Sequence, residues 1–248
     1  MIRFWLALQF LTRLPTPSTA HLTPEAVQAS LRASLPLFPL VGALVGALSA
    51  AVLWAAGQVW ALPVAVLLAL MVEALVTGAF HEDAVADFCD AIGGGHTRAR
   101  KLDILKDSRI GSFGALGLLL AVGLRVALLI SLPLHLAVPA LLASATLGRW
   151  LILLVMALVP PAAAGLGKDI GGQATWRDVW RGAMWALPGV AWLLVTNPGG
   201  LLLGVMACAG FALWLRGRLM AWLGGVTGDG LGFACYAGQL LILLAVAA

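Results

Sequence analysis

The stretch AVPALLASATLGRWLILLVMAL, residues 137–158, decides the fold class because it contains a single charged side chain, that of Arg149. An apolar run of about 20 residues is long enough for a helix to cross the hydrocarbon core of a bilayer. The chain as a whole is 62% hydrophobic and 10% charged, and its mean hydropathy is +1.01. A soluble domain does not need so much apolar sequence, so the composition predicts an integral membrane protein.

Outward from this stretch, further apolar segments predict an all-α, polytopic integral membrane helix bundle with about seven spans. We expect a single integral membrane domain, residues 1–248. Its N-terminal segment, residues 1–34, should hold a retained interfacial or re-entrant helix and not a signal peptide, because Arg13 interrupts its apolar stretch. The predicted spans are residues 35–57, 62–80, 113–132, 137–158, 182–196, 200–215 and 231–247.

The basic residues lie on one side of this predicted topology. Thirteen of the 15 Lys and Arg residues fall in the N-terminal segment and in the loops 81–112, 159–181 and 216–230, while Arg125 and Arg149 lie inside spans. Basic loops stay in the cytoplasm, so we expect a cytoplasmic N-terminus and an active site in the cytoplasmic loop 81–112. The same rule accounts for the basic pI of about 9.4, so we expect no nucleic-acid partner.

The segment EALVTGAFHEDAVADFCDAIGGGHTRARKLDILKDSRIGSFG, residues 73–114, holds seven of the 11 acids. Asp83, Asp87 and Asp90 are spaced i, i+4 and i+7, which places three carboxylates on one stripe of a helix. Their mutual repulsion is relieved by a divalent cation, and carboxylate oxygens suit Mg²⁺. The alternative is a solvated helix face at a membrane exit. The scarcity of acids elsewhere favours the metal site.

A second stripe is predicted just upstream, where Glu73, Thr77 and His81 are spaced i, i+4 and i+8. Glu73 falls within the second predicted span, where an ionisable group is costly and is a functional candidate. His81 is a candidate base or ligand, with a polar helix cap as the alternative.

Basic residues follow the glycines Gly93 to Gly95, which should end the acidic helix. These cations could clamp a pyrophosphate, although anchoring at the membrane surface explains some of them. Arg149 could face the acidic site or a substrate phosphate, and Asp229 either caps the last span or completes the metal site. The basic residues in question are Arg98, Arg100, Lys101, Lys106 and Arg109.

Four motifs, FLTRLPTP, HEDAVADFCDAIGGG, ILKDSRIGSFG and GGVTGDGLG, occur in this order and resemble the cobalamin synthase family, also called adenosylcobinamide-GDP ribazoletransferase. The resemblance covers nearly the whole chain. It implies a Mg²⁺-dependent enzyme of the bacterial cytoplasmic (inner) membrane. Such an enzyme transfers the adenosylcobinamide-phosphate moiety of adenosylcobinamide-GDP to α-ribazole or its 5′-phosphate, releases GMP and forms adenosylcobalamin or its 5′-phosphate.

Carried over by position, the resemblance places the acidic motif on residues 73–90 and the basic motif on residues 106–109. Two positions depart from the family pattern: Ala84 stands where members often carry glycine, and Gln239 where they often carry glutamate. The predicted roles are catalysis by His81, Lys106, Asp107 and Arg109, metal binding by Glu73, Asp83, Asp87 and Asp90, and substrate or phosphate binding by Ser108, Arg149 and Asp229.

Two other functions share some of these features. A Mg²⁺-dependent phosphotransferase that uses CDP-activated alcohols would share the acidic helix, but the Asp-Gly at Asp229 is not followed by that family's further aspartates. An ion transporter would place its charges near the bilayer midplane, whereas these acids gather at one face. Besides the lipid bilayer, the sequence permits a homo-oligomer without predicting one, because Gly42 and Gly46 form a GxxxG motif that is typical of close helix packing and allows helices to associate.

Overall fold

The computed structural model describes residues 1–19, 22–162 and 174–248. Lys168, with residues 163–173 of the predicted loop 159–181, therefore lies outside the described residues. Eleven α-helices and no strand occur in the described ranges, and a short 3₁₀ turn, Leu35–Leu37, precedes the third helix. The helices are α1 Ile2–Leu11, α2 Pro24–Arg32, α3 Phe38–Ala56, α4 Leu62–Thr77, α5 Phe80–Gly94, α6 Arg98–Ile104, α7 Ser112–Ser131, α8 Leu134–Leu158, α9 Trp176–Thr196, α10 Pro198–Leu223 and α11 Gly228–Ala247.

The prediction of a polytopic helical membrane protein is confirmed. Within the described ranges, α3, α7, α8, α10 and α11 are each long and apolar enough to cross a membrane. Helices α4 and α5 meet the same criterion only as a pair, and they are bent by 86° at the break between them. These helices give five spans, or six if the bent pair is one span. The predicted count of seven stays a prediction, as does the side on which the N-terminus lies.

Helix α8 is the centre of the bundle and packs against α3, α9 and α11. The approach of α3 is close because Gly42 and Gly46 face α8, and a methyl group on Gly42 would lie 2.6 Å from the carbonyl oxygen of Ala145. The predicted role of the GxxxG motif in close helix packing is confirmed. Because α8 of the same chain covers both glycines, this motif is not available to a second copy.

The break between α4 and α5 determines where the acidic segment lies. Gly78 ends α4 with a φ of +70°, a left-handed conformation that glycine adopts without penalty, and Ala79 follows with a φ of +56°. The expected stripe of Glu73, Thr77 and His81 on one helix is therefore wrong, because His81 belongs to α5. By contrast, Asp83, Asp87 and Asp90 do share α5, and that helix ends at Gly94 as the glycine run predicts.

The N-terminal motif FLTR supports this break. The backbone N–H of Arg13 donates a 2.7 Å hydrogen bond to the carbonyl oxygen of Val76 in the last turn of α4. The Arg13 side chain also lies so close to Gly78 that a Cβ atom there would overlap its guanidinium group. The φ angle at residue 78 therefore favours glycine, and a larger residue there would also have to displace the flexible side chain of Arg13.

Candidate functional site

The predicted site residues come together where α5 packs between α7 and α11. Helix α5 carries the acids, the segment between α6 and α7 carries the basic motif, and the first turn of α11 carries Asp229. The basic segment borders α5 at Asp90, and Asp229 lies close enough to Asp87 for their charges to repel each other. Glu73 and Arg149 belong to a separate layer deeper in the bundle.

Asp83, Asp87 and Asp229 form a cluster of carboxylates on this face. Asp83 is exposed, while the other two are partly buried. Partial burial, followed by the negative charges of Asp83, Asp229 and Asp90, raises the pKa of Asp87 to about 6. A carboxyl group with this pKa binds a proton more readily than a free one because burial disfavours its charge and its neighbours repel it. A bound cation would relieve the same repulsion.

Asp90, the third acid of the stripe, has partners within the protein. Its two carboxylate oxygens accept hydrogen bonds of 2.6 Å from the backbone N–H of Gly111 and 2.8 Å from that of Gly114. These N–H groups lie at the start of α7, where the helix dipole also favours a negative charge. A side chain on either glycine would collide with the carboxylate, which explains the two glycines of the motif RIGSFG.

Across the described residues, no group of three or more His, Cys, Asp and Glu side chains is arranged to hold a metal ion. The predicted set of four ligands, Glu73, Asp83, Asp87 and Asp90, is thus not assembled as one cage. Mg²⁺ does not require such a cage, because it commonly binds one or two carboxylates and completes its shell with water and substrate phosphates. The metal site stays a prediction, and Asp83 and Asp87 are the members of α5 that fit it.

The basic motif borders an open cleft next to Asp90. The cleft encloses about 890 Å³, including space open to solvent, and Arg100, Asp107 and Arg109 contribute to its wall. Asp107 accepts hydrogen bonds from Arg109 Nε at 2.9 Å and from Nη2 at 2.6 Å. These bonds lower the pKa of Asp107 to about 2, so it stays ionised and is a weak proton acceptor. Lys106 and Ser108 are exposed on the same segment.

Glu73 lies in the bundle interior and pairs with two arginines. Arg125 Nη2 donates a 2.8 Å hydrogen bond to Glu73 Oε2, and Arg149 Nη1 lies 3.7 Å from Oε1. Arg125 also approaches Glu82 Oε1 at 4.0 Å and stacks over the ring of Tyr236. Two positive and two negative side chains therefore balance one another in this layer, as a buried charge requires.

This interior layer retains unpaired hydrogen-bonding capacity. Among the described residues, several of its buried polar atoms have no hydrogen-bond partner. Buried polar groups are nearly always paired with protein, water or ligand, so this layer can accept further polar partners. The atoms are His81 Nε2, Glu82 Oε2, Arg125 Nε, Arg149 Nε and Nη2, and Gln239 Oε1.

Sequence reasoning gave no site role to Arg125 or Glu82, although both belong to this layer. Charge balance could have found them. Two arginines inside spans need acidic partners, and Glu73 alone leaves one positive charge uncompensated. Among the acids without a predicted role, Glu82 is the nearest in sequence to Glu73.

With this geometry established, comparison with known proteins identifies the family. A sequence profile of the family described as cobalamin-5-phosphate synthase matches residues 3–247. The chain belongs to that family. The resemblance predicted from the four motifs is confirmed, in preference to a phosphotransferase of the CDP-alcohol type or an ion transporter.

Individual members of the family align over most of this chain. A relative from Leptothrix cholodnii is 41% identical over 93% of this chain and 89% of its own length. Relatives from Ralstonia pickettii and Bradyrhizobium diazoefficiens are 37% and 38% identical, over 96% and 98% of this chain, and each is covered over 92% of its own length. All three are named adenosylcobinamide-GDP ribazoletransferase. No solved structure matches the chain.

Proposed function

We propose that this protein transfers the adenosylcobinamide-phosphate moiety of adenosylcobinamide-GDP to α-ribazole or its 5′-phosphate and releases GMP. The observation that carries this proposal is the similarity of almost the full chain to relatives that bear this enzyme's name. The site offers chemistry that such a transfer needs, since acidic α5 and the basic cleft share Asp90 as a common border.

In this reaction a ribose hydroxyl oxygen of the acceptor attacks the phosphorus atom that is linked to cobinamide. A new P–O bond forms, the bond from that phosphorus to the bridging oxygen breaks, and GMP leaves with this oxygen. The hydroxyl proton must be removed. Phosphoryl transfers of this kind depend mainly on positioning the reactants and neutralising charge.

We propose that Mg²⁺ is the cofactor and that Asp83 and Asp87 hold it, with Asp229 beside them. Glu73 is a poorer ligand because its carboxylate already pairs with arginines. Asp90 is a poorer ligand because both of its oxygens already accept hydrogen bonds from backbone N–H groups. When bound, the ion would neutralise the charge of the diphosphate oxygens. Burial and the neighbouring carboxylates raise the pKa of Asp87 to about 6, and this penalty on its charge supports a cation at this place.

The cleft beside Asp90 provides the remaining positive charge. Arg100 and Arg109 line it, and Lys106 is exposed in the same segment. We propose that these side chains bind the phosphate oxygens of the donor and offset their negative charge. Ser108 would add a hydroxyl donor.

We propose that His81 is the base that removes the proton of the attacking hydroxyl. Asp107, the other predicted base, is held ionised by Arg109 and has a pKa of about 2, so it binds a proton weakly. His81 is buried with Nε2 unpartnered in the described structure. Burial, with Arg149 and Arg125 nearby, lowers its pKa well below the usual value, so its imidazole is neutral and free to accept a proton. It also lines a cavity that contains Asp229, next to the acidic cluster.

The site should face the cytoplasm of a bacterial cell from its inner membrane, because the basic residues gather on this side of the predicted topology. Purified full-length protein in lipid nanodiscs tests the reaction directly. With both substrates and Mg²⁺, it should release GMP and form one corrinoid product for each GMP. Absence of both products from folded protein would contradict the proposed function.

A further inference from the structure

We propose that an aromatic cavity beside His81 binds the base of the ribazole acceptor, an inference that rests on the proposed function. α-Ribazole is a riboside whose base is a dimethylated benzimidazole. This base is a flat, largely apolar double ring with one free ring nitrogen. Its binding site should therefore combine aromatic walls with few polar groups.

The cavity has this composition. Helices α1, α3, α5, α8 and α11 all contribute to its wall, and it encloses about 600 Å³, part of it open to solvent. The enclosed part is about 90 Å³, which is smaller than a preformed small-molecule site, so the double ring enters only when side chains of the wall move apart. Phe10, Phe38 and Phe80 are its aromatic members.

The three phenylalanines are arranged around Phe10. The ring of Phe10 lies 5.7 Å from that of Phe38 at an interplanar angle of 16°, and 5.8 Å from that of Phe80 at 79°. One ring is thus stacked and the other is edge-on, which are the two favoured geometries for aromatic contacts. A planar heterocycle that enters the cavity can be held by the same two kinds of contact.

The polar side chains of the wall are His81 and Asp229. His81 is 2% exposed, and its Nε2 has no hydrogen-bond partner in the described structure. The guanine of the donor carries several donors and acceptors on its edge, and two polar side chains cannot pair with all of them. Leaving them unpaired would cost binding free energy. Benzimidazole has far fewer polar atoms, so the cavity selects the acceptor base over guanine.

The position of Asp229 indicates how the acceptor is oriented when it is bound. Asp229 lines the cavity, and its charge also acts on Asp83 and Asp87. A base among the phenylalanines would therefore place its ribose at the boundary between the cavity and the acidic cluster. The attacking hydroxyl would then meet the donor phosphate there, with His81 beside it.

Equilibrium dialysis of α-ribazole against the full chain in nanodiscs, without the second substrate, tests this proposal. The variant Phe10→Leu keeps an apolar side chain but loses the ring, and the dissociation constant for α-ribazole should rise about fivefold. The matched control is Phe4→Leu on the same helix. Phe4 contacts Trp5 and does not line the cavity, so this variant should bind within about twofold of the unaltered chain.

Turnover separates this inference from the proposed function. In Phe10→Leu the KM for α-ribazole should rise while the KM for adenosylcobinamide-GDP stays unchanged. An unchanged dissociation constant in a folded Phe10→Leu variant would overturn the cavity assignment, even if the unaltered protein releases GMP. If the unaltered protein releases no GMP, the function fails, and dialysis still decides whether the cavity binds the ring.

A second measurement covers the case in which Phe10→Leu does not fold. An azido-substituted benzimidazole riboside, irradiated with the unaltered protein, should label peptides that contain Phe10, Phe38 or Phe80. Excess α-ribazole should prevent the labelling, and guanosine should not. Labelling confined to other peptides would overturn the proposal.

Discussion

The carboxylate of Asp90 accepts a 2.8 Å hydrogen bond from the backbone N–H of Gly114, and this bond fastens α5 to the first turn of α7. A second bond, from Gly111, completes the attachment. The acidic stripe therefore contains two kinds of carboxylate. Asp90 joins helices, while Asp83 and Asp87 remain available to a ligand.

This division predicts different outcomes for two alanine variants. Asp90→Ala leaves two N–H groups at the start of α7 without acceptors, and it should lower the free energy of unfolding by about 2 kcal/mol or more. The Mg²⁺ concentration for half-maximal activity should stay the same. Asp83→Ala alters an exposed side chain. It should leave the free energy of unfolding unchanged and raise the Mg²⁺ concentration for half-maximal activity. Unfolding in mixed micelles and Mg²⁺ titrations measure both, and a reversed pattern would contradict the assignment.

The interior ion pair should show strong coupling between its members. Glu73→Gln leaves Arg125 and Arg149 with too little negative charge, and it should destabilise the protein by about 3 kcal/mol. Arg125→Met should cost a similar amount because it strands Glu82 and part of the charge of Glu73. The double variant restores charge balance, so its loss should be smaller than the sum of the two. Additive losses in a double-mutant cycle would show that the pair is not coupled.

The Mg²⁺ requirement should depend on pH through Asp87. The pKa of this carboxyl group is raised to about 6 without metal, and only the ionised form binds Mg²⁺. The half-saturating Mg²⁺ concentration should therefore rise as the pH falls below about 6 and should level off above about 7. Asp87→Asn should abolish this dependence. The same steep rise in Asp87→Asn would assign the titration to another group.

A matching effect on stability should appear when Mg²⁺ is removed. A carboxyl group whose pKa is higher in the folded than in the unfolded state favours folding while it is protonated. Its contribution should be present below about pH 4 and be lost as the pH rises through about 6. Unfolding measured in a chelator across this window, with Asp87→Asn as the control, checks the sign. A gain in stability from this group over the window would contradict it.

The helix break should be sensitive to a single methyl group. Gly78→Ala must adopt a φ of +70° and must displace Arg13, so it should lower the free energy of unfolding by more than about 1 kcal/mol. Gly123→Ala is the matched control because no atom lies within 4 Å of a Cβ placed there. The control should leave stability unchanged or raise it. Equal stability of the two variants would show that the break tolerates a side chain.

The apolar helix at the centre of the bundle and the acidic helix were predictable because hydropathy and local spacing determine them. Residues 137–158 cross the bundle in α8, and Asp83, Asp87 and Asp90 share α5, as their spacing indicated. The end of α5 at Gly94 likewise followed from the glycine run. These features depend on neighbours in sequence, which a single chain displays.

The break at Gly78 and the partners of Glu73 were not predictable in the same way. A lone glycine inside an apolar run is often tolerated within a helix, so nothing local distinguished Gly78. Its left-handed φ is coupled to the approach of Arg13 from a distant segment. Similarly, Glu73 resembled a metal ligand until the fold brought Arg125 to within 2.8 Å of it.

The most direct test of the account is the metal dependence of GMP release, measured with purified protein in nanodiscs, both substrates present, and the variant Asp87→Asn in parallel. The account predicts that GMP and corrinoid product form together with Mg²⁺. Chelation should stop both, restored Mg²⁺ should recover both, and Asp87→Asn should lose at least about 100-fold in rate. Equal turnover with all divalent ions removed, or full activity in Asp87→Asn, would contradict the claim that the carboxylates of α5 hold Mg²⁺ against the diphosphate.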